Sequence, residues 1–268
     1  MPAAVRSLLL LLATLAVVAG PALAQQESTE PPKPRAAPRG IVSEEVLPRA
    51  GGVLVFGGTR GVGLEAVKEL VKRGEKVTVM ARASSDTAAL KALNVNLVAG
   101  DALVPEDITK AFAAAPYRVV VSTLGGTEED LRVDVDGNRH VADAAKAAKI
   151  PRMIMMSAIG AGDSALARPW YLQYFKKEFV AAKAKAEDYL IKSGVTYTIV
   201  RAGRLVDKPA TPANQAVLSE DHKVFSALTR IDAGRLLADC VKNEAATSNK
   251  VLTAFDPARA TFIGIFFK

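Results

Sequence analysis

Cysteine occurs once in this chain of 268 residues, at Cys240, and histidine twice, at His140 and His222. One thiol closes no internal disulfide, and these scattered groups lack the spacing of a metal site. Cys240 lies in an apolar helical stretch with Leu236, Leu237 and Val241, the setting of a buried structural residue. Aromatics are scarce at 6%, whereas Ala, Val, Leu and Lys dominate. That balance suits helices packed on a parallel sheet better than an all-β sandwich. The formal net charge is +7, yet the basic residues are interleaved with acids. No basic run with interleaved aromatics is present, so no nucleic-acid partner is expected. The excess reads as a solvated surface, part of it suited to attracting phosphorylated ligands.

A long apolar run is missing too. The stretch from Leu8 to Ala19 is shorter than the roughly 20 residues a membrane span needs. Arg6 precedes it, Gly20 and Pro21 break it, and Ala22-Leu23-Ala24 precedes Gln25 in a small-x-small pattern. Residues 1–24 therefore read as a cleaved signal peptide, which predicts export to a periplasm or beyond the cell and no stable membrane insertion afterwards. A membrane anchor and an organelle-targeting segment are the alternatives. Residues 25–50, with Pro31-Pro32-Lys33-Pro34 and Ala37-Pro38-Arg39, read as a proline-rich linker. The folded domain is expected over 51–268.

From Gly52 onward, short runs rich in β-branched residues recur: Val53–Phe56, Val77–Ala81, Val95–Ala99, Val119–Val121, Met153–Met156, Thr196–Val200 and Val251–Phe255. Their near-continuous apolarity predicts strands buried on both faces. Helical patterns lie between them: Leu64–Arg73, Ile108–Ala115, Val135–Lys149, Phe175–Ser193 and Ile231–Asn243. This alternation predicts an α/β fold, a doubly wound parallel sheet of Rossmann type. Residues 163–173 and 206–229 are polar, proline-bearing and aperiodic, and are expected to form a small, loop-built substrate lobe toward the C-terminus.

The first strand runs into Gly57-Gly58-Thr59-Arg60-Gly61-Val62-Gly63, and a helix opens at once. Glycine is needed there where the chain turns sharply and where a Cβ would block a pyrophosphate. The helix N-terminus adds free N–H groups and partial positive charge. NAD-binding chains usually carry an acid at the end of the second strand for the ribose 2′-hydroxyl. This chain has Arg82 followed by Ser84 and Ser85, and Arg60 stands in the loop. Two guanidiniums suit a 2′-phosphate, so NADP(H) is the expected cofactor. Asp101 and Ala102 after the third strand, and Ser122, Thr123 and Leu124 after the fourth, are expected to wall the cofactor groove at the carboxyl ends of the strands.

These residues resemble the short-chain dehydrogenase/reductase superfamily, and more closely its atypical, NmrA-like NAD(P)H-binding branch. The resemblance spans roughly Gly52 to Phe255. Beyond the glycine loop and Arg82 it rests on Gly100-Asp101, Asp136-Gly137-Asn138 with Asp143-Ala144-Ala145, and Met156-Ser157-Ala158-Ile159-Gly160-Ala161-Gly162. Lys183 with Lys185-Ala186-Glu187, Tyr197-Thr198-Ile199-Val200-Arg201, and Ile231-Asp232-Ala233-Gly234-Arg235 complete it. The resemblance implies an NADP-preferring Rossmann domain with a variable lobe. It covers reductases, sugar or isoprenoid modifiers, and redox sensors without turnover.

Active members of the superfamily use Tyr-x-x-x-Lys with a serine: the hydroxyl moves a proton, the lysine holds the ribose, and the serine orients a carbonyl. By this resemblance Ser157 takes the serine place and Lys183 the lysine place, contacting both substrate and cofactor. Four residues before Lys183 stands Phe179, which has no proton to give, and no tyrosine here has a lysine four residues later. Tyr174 or Tyr171 could serve from an earlier turn, the acceptor could be conjugated and protonated by solvent, or the domain could bind cofactor without chemistry. The expectation is therefore an NADPH-dependent reductase acting on a small organic substrate, as monomer or homodimer. The alternatives are a non-catalytic NADP(H)-binding sensor or assembly factor, and, third, a nucleotide-sugar epimerase.

Overall fold

Hydrophobic residues on alternate sides of each strand feed two cores, so the sheet is covered by helices on both faces. The structure, a computed structural model, describes residues 51–169, 176–210 and 215–259. The elements in order are β1 (Gly52–Phe56), α1 (Gly61–Lys72), β2 (Val77–Ala81), α2 (Ala88–Ala92), β3 (Asn96–Ala99), α3 (Pro105–Ala113) and β4 (Tyr117–Ser122). Then follow α4 (Asn138–Ala147), β5 (Met153–Ala158), α5 (Lys177–Ser193), β6 (Tyr197–Ala202), β7 (Arg204–Val206), β8 (Val217–Ser219), β9 (Ala227–Thr229), α6 (Arg230–Lys242), α7 (Glu244–Thr247) and β10 (Lys250–Phe255). In β1, Val53 and Val55 enter the core built with α1 and α6, through residues such as Ala66, Leu70, Leu236 and Leu237. Leu54 and Phe56 enter the opposite core, with Ile108 and Phe112 of α3, Val141 of α4 and Leu190 of α5. This period-2 division explains why both sets of strand residues are apolar.

The main sheet has eight strands in the order β3-β2-β1-β4-β5-β6-β10-β8. All neighbouring pairs are parallel except β10 with β8, which is antiparallel. The expected doubly wound α/β sheet is thus present, and its strand order reverses between β1 and β4. Ligands of such sheets bind at that switch point, beyond the carboxyl ends of the strands.

Three sequence expectations need correcting. The third strand is not buried on both faces: β3 is the sheet edge, and Asn96, Leu97 and Ala99 are exposed. The helix expected from Val135 begins as a π-helical turn over Val133–Gly137 and continues as α4. The lobe is also more ordered than expected: Gly162–Ala167 is a 3-10 turn, β8 extends the main sheet, and β9 pairs in parallel with β7. Strands of three residues leave too little alternation to read. Residues 1–50, including the signal-peptide and linker expectations, lie outside the described residues, as do 170–175, with Tyr171 and Tyr174.

Candidate functional site

A cavity of about 1120 Å³ opens along the carboxyl ends of β1, β2, β4 and β5. Gly57, Thr59, Arg60, Gly61, Val62, Gly63, Arg82, Asp101, Ala102, Thr123, Leu124, Ser157 and Lys183 all line it. Separate stretches of sequence thus converge on one chamber. Ser122 does not line it: the side chain is fully buried, and its Oγ donates to Asn138 Oδ1 at 2.6 Å at the head of α4.

The floor is the glycine loop. Gly57 has φ +79°, a left-handed conformation in which a side chain is strained. A Cβ on Gly63 would fall 2.1 Å from Gly57 O, so only glycine permits that approach. Thr123 ties this turn to β4: its Oγ1 donates to Phe56 O and Gly57 O, each at 3.1 Å. Helix α1 starts there with no side-chain cap and no acid in its first turn. Its free N–H groups and positive dipole end therefore have no competing anion from its own first turn. Arg60 and Arg82 are exposed at this end, and neither makes an ion pair or side-chain hydrogen bond with another described residue. The cradle, the uncapped helix and the free guanidiniums fit the phosphates of a dinucleotide.

The other end is built on α5. Lys183 is 8% exposed and Asp134 fully buried, with Nζ and Oδ1 2.9 Å apart. The same Nζ donates to Leu124 O at 2.7 Å, and Gly126 N donates to Asp134 Oδ2 at 2.6 Å. Burying an ammonium is costly unless it is paired, and Asp134 supplies the pair. Phe179 lies one turn before Lys183 on the same helix face, with Nζ 5.6 Å from the ring centroid. The aromatic ring thus stands in the cavity wall where the superfamily pattern has a phenol. Ser157, at the end of β5, is buried, and its Oγ has no hydrogen-bond partner among the described residues.

Sequence reasoning missed Asp134 and Arg230. The acid sits in the π-helical turn, and nothing in sequence marks its pairing with a lysine on another helix. Arg230 opens α6, and its Cδ and Nε lie 3.8 Å from where a Cβ on Gly61 would stand. Its Nη1 donates to the exposed Asp207 at 2.7 Å. No helix among the described residues is long and apolar enough to cross a membrane.

Comparison with known proteins agrees with this geometry. A family model described as NAD(P)H-binding matches residues 57–244, well over half of the chain. Protein TIC 62, chloroplastic, from Oryza sativa subsp. japonica is 27% identical over 238 residues, 79% of this chain and 47% of that protein. Photosystem II assembly factor Ycf39 of Cyanidium caldarium is 32% identical over 149 residues, 55% of this chain and 45% of that protein. The chain thus spans less than half the length of these two curated relatives. The solved structure of ChuY, an anaerobillin reductase from Escherichia coli O157:H7, superposes with a TM-score of 0.69 at 26% identity, covering 77% of this chain and 97% of that one. The glycine cradle, the strand order and the family match together place this chain in the NAD(P)H-binding family, among the atypical short-chain dehydrogenase/reductase proteins with a Rossmann fold.

Proposed function

We propose that the protein is an NADPH-dependent reductase that delivers hydride to a conjugated organic acceptor. The observation that carries this reading is the Ser157 hydroxyl, buried without a partner among the described residues, in the same cavity as Lys183 and the glycine loop. An unsatisfied buried hydroxyl costs about 1–3 kcal/mol, and an acceptor oxygen of a bound molecule would relieve it. The cavity also continues past Ser157 to Val180, Arg204 and Phe225, which leaves space for a second molecule. The likeness to an anaerobillin reductase supports the same reading.

Arg60 and Arg82 would hold the 2′-phosphate, the first-turn amides of α1 and Arg230 the pyrophosphate, and Asp101 with Ala102 the adenosine end. Lys183 would donate to the nicotinamide ribose, its position fixed by Asp134 and Leu124 O. When bound, NADPH supplies the hydride. Ser157 would donate its hydroxyl proton in a hydrogen bond to the acceptor's oxygen, drawing electron density from the conjugated carbon. Phe179 has no proton to transfer, so the product's proton comes from water. Tyr174 and Tyr171, the sequence candidates for proton transfer, lie outside the described residues.

The same Phe179 favours a second reading, a non-catalytic NADP(H)-binding sensor or assembly factor, in keeping with the name of Ycf39. Of the location expectations, the chloroplastic description of TIC 62 favours organelle targeting over export.

The test is calorimetric titration of the protein with NADPH and NADH, repeated on Arg82→Ala. We expect NADPH to bind far more tightly, and the variant to lose about 1.5–3 kcal/mol for NADPH with little change for NADH. Oxidation of NADPH in the presence of conjugated acceptors then separates the two readings. Binding without turnover across quinones, flavins and enals would favour the sensor.

A further inference from the structure

Beyond Ser157 the cavity pairs an apolar wall with one unpartnered hydroxyl. Met156 and Ile159 at the end of β5, Phe179 and Val180 of α5, and Leu205 of β7 form the wall. Ser157 is 4% exposed, and its Oγ has no hydrogen-bond partner among the described residues. A molecule held here is therefore mostly apolar, and it gains most by setting one oxygen against that hydroxyl.

The wall also lacks a proton donor. None of the described residues lining the cavity is His, Cys, Tyr or Glu. Of the two carboxyls that line it, Asp130 is held down to about 2 by its hydrogen bond from Arg132, so it is ionised at neutral pH. Asp101 follows β3, four strand positions from β5 and so about 19 Å away. Its Oδ1 accepts from Leu103 N at 2.9 Å. Guanidiniums do not deprotonate in proteins. Lys183 is held by Asp134 and Leu124 O, and Lys176 by Glu128 at 3.0 Å.

This inventory decides what can be reduced, because hydride transfer leaves negative charge on the acceptor's oxygen. From a simple ketone or aldehyde the product is an alkoxide, about as basic as hydroxide, whose parent water has a pKa of about 15.7. That product needs an acid during the transfer. An enal yields an enolate, which must still gain a proton on carbon. From a quinone the charge comes to rest on a phenolate, and phenols ionise at a pKa of about 10. A phenolate forms without an acid, steadied by one hydrogen bond, and takes its proton from water afterwards.

Resting on the reductase reading, we infer that the chamber beyond Ser157 takes a quinone, with its ring against Phe179 and Val180 and one carbonyl oxygen on Ser157 Oγ. As the C–H bond of the reduced nicotinamide breaks, the hydrogen passes with its electron pair to the quinone's other oxygen and forms an O–H bond there. The electrons displaced through the ring collect on the oxygen held by Ser157. The quinone is thus reduced by two electrons to a hydroquinone monoanion, NADPH is oxidised to NADP+, and a proton from water completes the hydroquinone. Ketones and aldehydes of the same size fit the chamber but are not reduced.

The first test reads binding alone. 1,4-Naphthoquinone, and naphthalene as the same rings without oxygens, are titrated into the NADP+-saturated protein. Ser157→Ala should weaken the quinone by about tenfold and leave naphthalene and NADPH unchanged. The second test follows NADPH oxidation in the absence of oxygen. 1,4-Naphthoquinone should turn over, whereas 1-tetralone and 1-naphthaldehyde should react about 10²–10⁴-fold more slowly, the usual worth of the missing acid. A Tyr171→Phe/Tyr174→Phe double variant should keep the quinone rate, since no protein acid takes part. Four results would each overturn the quinone assignment while NADPH binding stays intact: an unchanged quinone affinity in Ser157→Ala, no quinone turnover, comparable rates with ketone or aldehyde, or a rate lost in the double variant. Failure of the wild-type protein to bind NADPH, with Ser157-dependent binding of the quinone still present, would instead strike the reductase reading.

Discussion

Arg230 stands over the glycine loop, 3.8 Å from where a Cβ on Gly61 would be, and Arg82 stands at the end of β2. Those places correspond to different atoms of a dinucleotide. The pyrophosphate is common to NADH and NADPH, whereas the 2′-phosphate is not. Arg230→Ala should therefore weaken both nucleotides by the same factor, about tenfold, which paired calorimetric titrations will show. Leaving Asp207 costs Arg230 little, because that carboxylate is 85% exposed and surface pairs are worth about 0–1 kcal/mol. Cys240 shows the opposite behaviour, a residue that the fold withdraws from chemistry. Burial pushes its thiol up from the ordinary 9.0 to about 12, so at neutral pH it is fully protonated. The native protein should leave Cys240 unreacted with thiol-directed reagents at pH 8, and unfolding should release one reactive thiol per chain. A raised pKa stabilises the fold below the unfolded value, and that contribution is lost as pH climbs from about 9 to about 12.

The glycine loop and helix α6 are linked through α1. A Cβ on Gly234 would fall 2.6 Å from both Ala66 N and Glu65 C, backbone atoms of α1 that cannot turn aside. Gly→Ala within a helix gains about 1 kcal/mol in propensity, and overpacking of this kind costs about 1–3 kcal/mol. The clash should win, because the obstacle is backbone. Gly234→Ala is expected to lower the denaturant midpoint by the equivalent of up to about 2 kcal/mol with an unchanged slope. It should also weaken both nucleotides, since α6 carries Arg230 at its first residue. At this scale the sequence was readable where elements are long or buried. All seven strand runs and all five helical patterns correspond to observed elements, because buried strands of β-branched residues and amphipathic helices leave strong signals, although β3 was read as buried and lies exposed at the sheet edge. Short α2 and the three-residue β7, β8 and β9 went unread, since their shape comes from distant pairing, such as Thr253 with Ser219.

Across the whole molecule, motif residues were legible and their supports were not. The glycine loop, Arg82, Asp101, Ser157 and Lys183 stand in recognisable local patterns, and the fold gathers them in one cavity. Asp134 holds Lys183 from 49 positions away in number, and Arg168 depends on Gly160 for its course, relations that only the tertiary fold creates. The Arg201 network is of the same kind. Buried Arg201 on β6 pairs with Glu187 of α5 at 2.7 Å and with Asp163 in the turn after β5. Asp163 in turn meets His222 Nδ1 at 2.7 Å, and His222 Nε2 lies 2.9 Å from Val251 O on β10. The network thus joins the second half of the sheet to the lobe that closes the cavity. Burial opposes ionisation of Asp163, but bonds from Arg201 and His222 outweigh it and hold the carboxyl below the ordinary 3.8. A depressed carboxylate pKa contributes stability above the unfolded value and loses it as pH falls through the folded one. At pH 7 Asp163→Asn should therefore be less stable than the wild type. The gap should narrow steadily as pH falls below the ordinary 3.8, as the wild-type carboxylate also becomes neutral. Other carboxyls with lowered pKa, Asp107, Glu129 and Asp130, lie outside the network and titrate in both proteins, so they cancel in the difference. Denaturant titrations of the two proteins at half-unit steps from pH 7 to pH 2.5 measure this directly. A gap independent of pH would mean that Asp163 acts by shape rather than by charge.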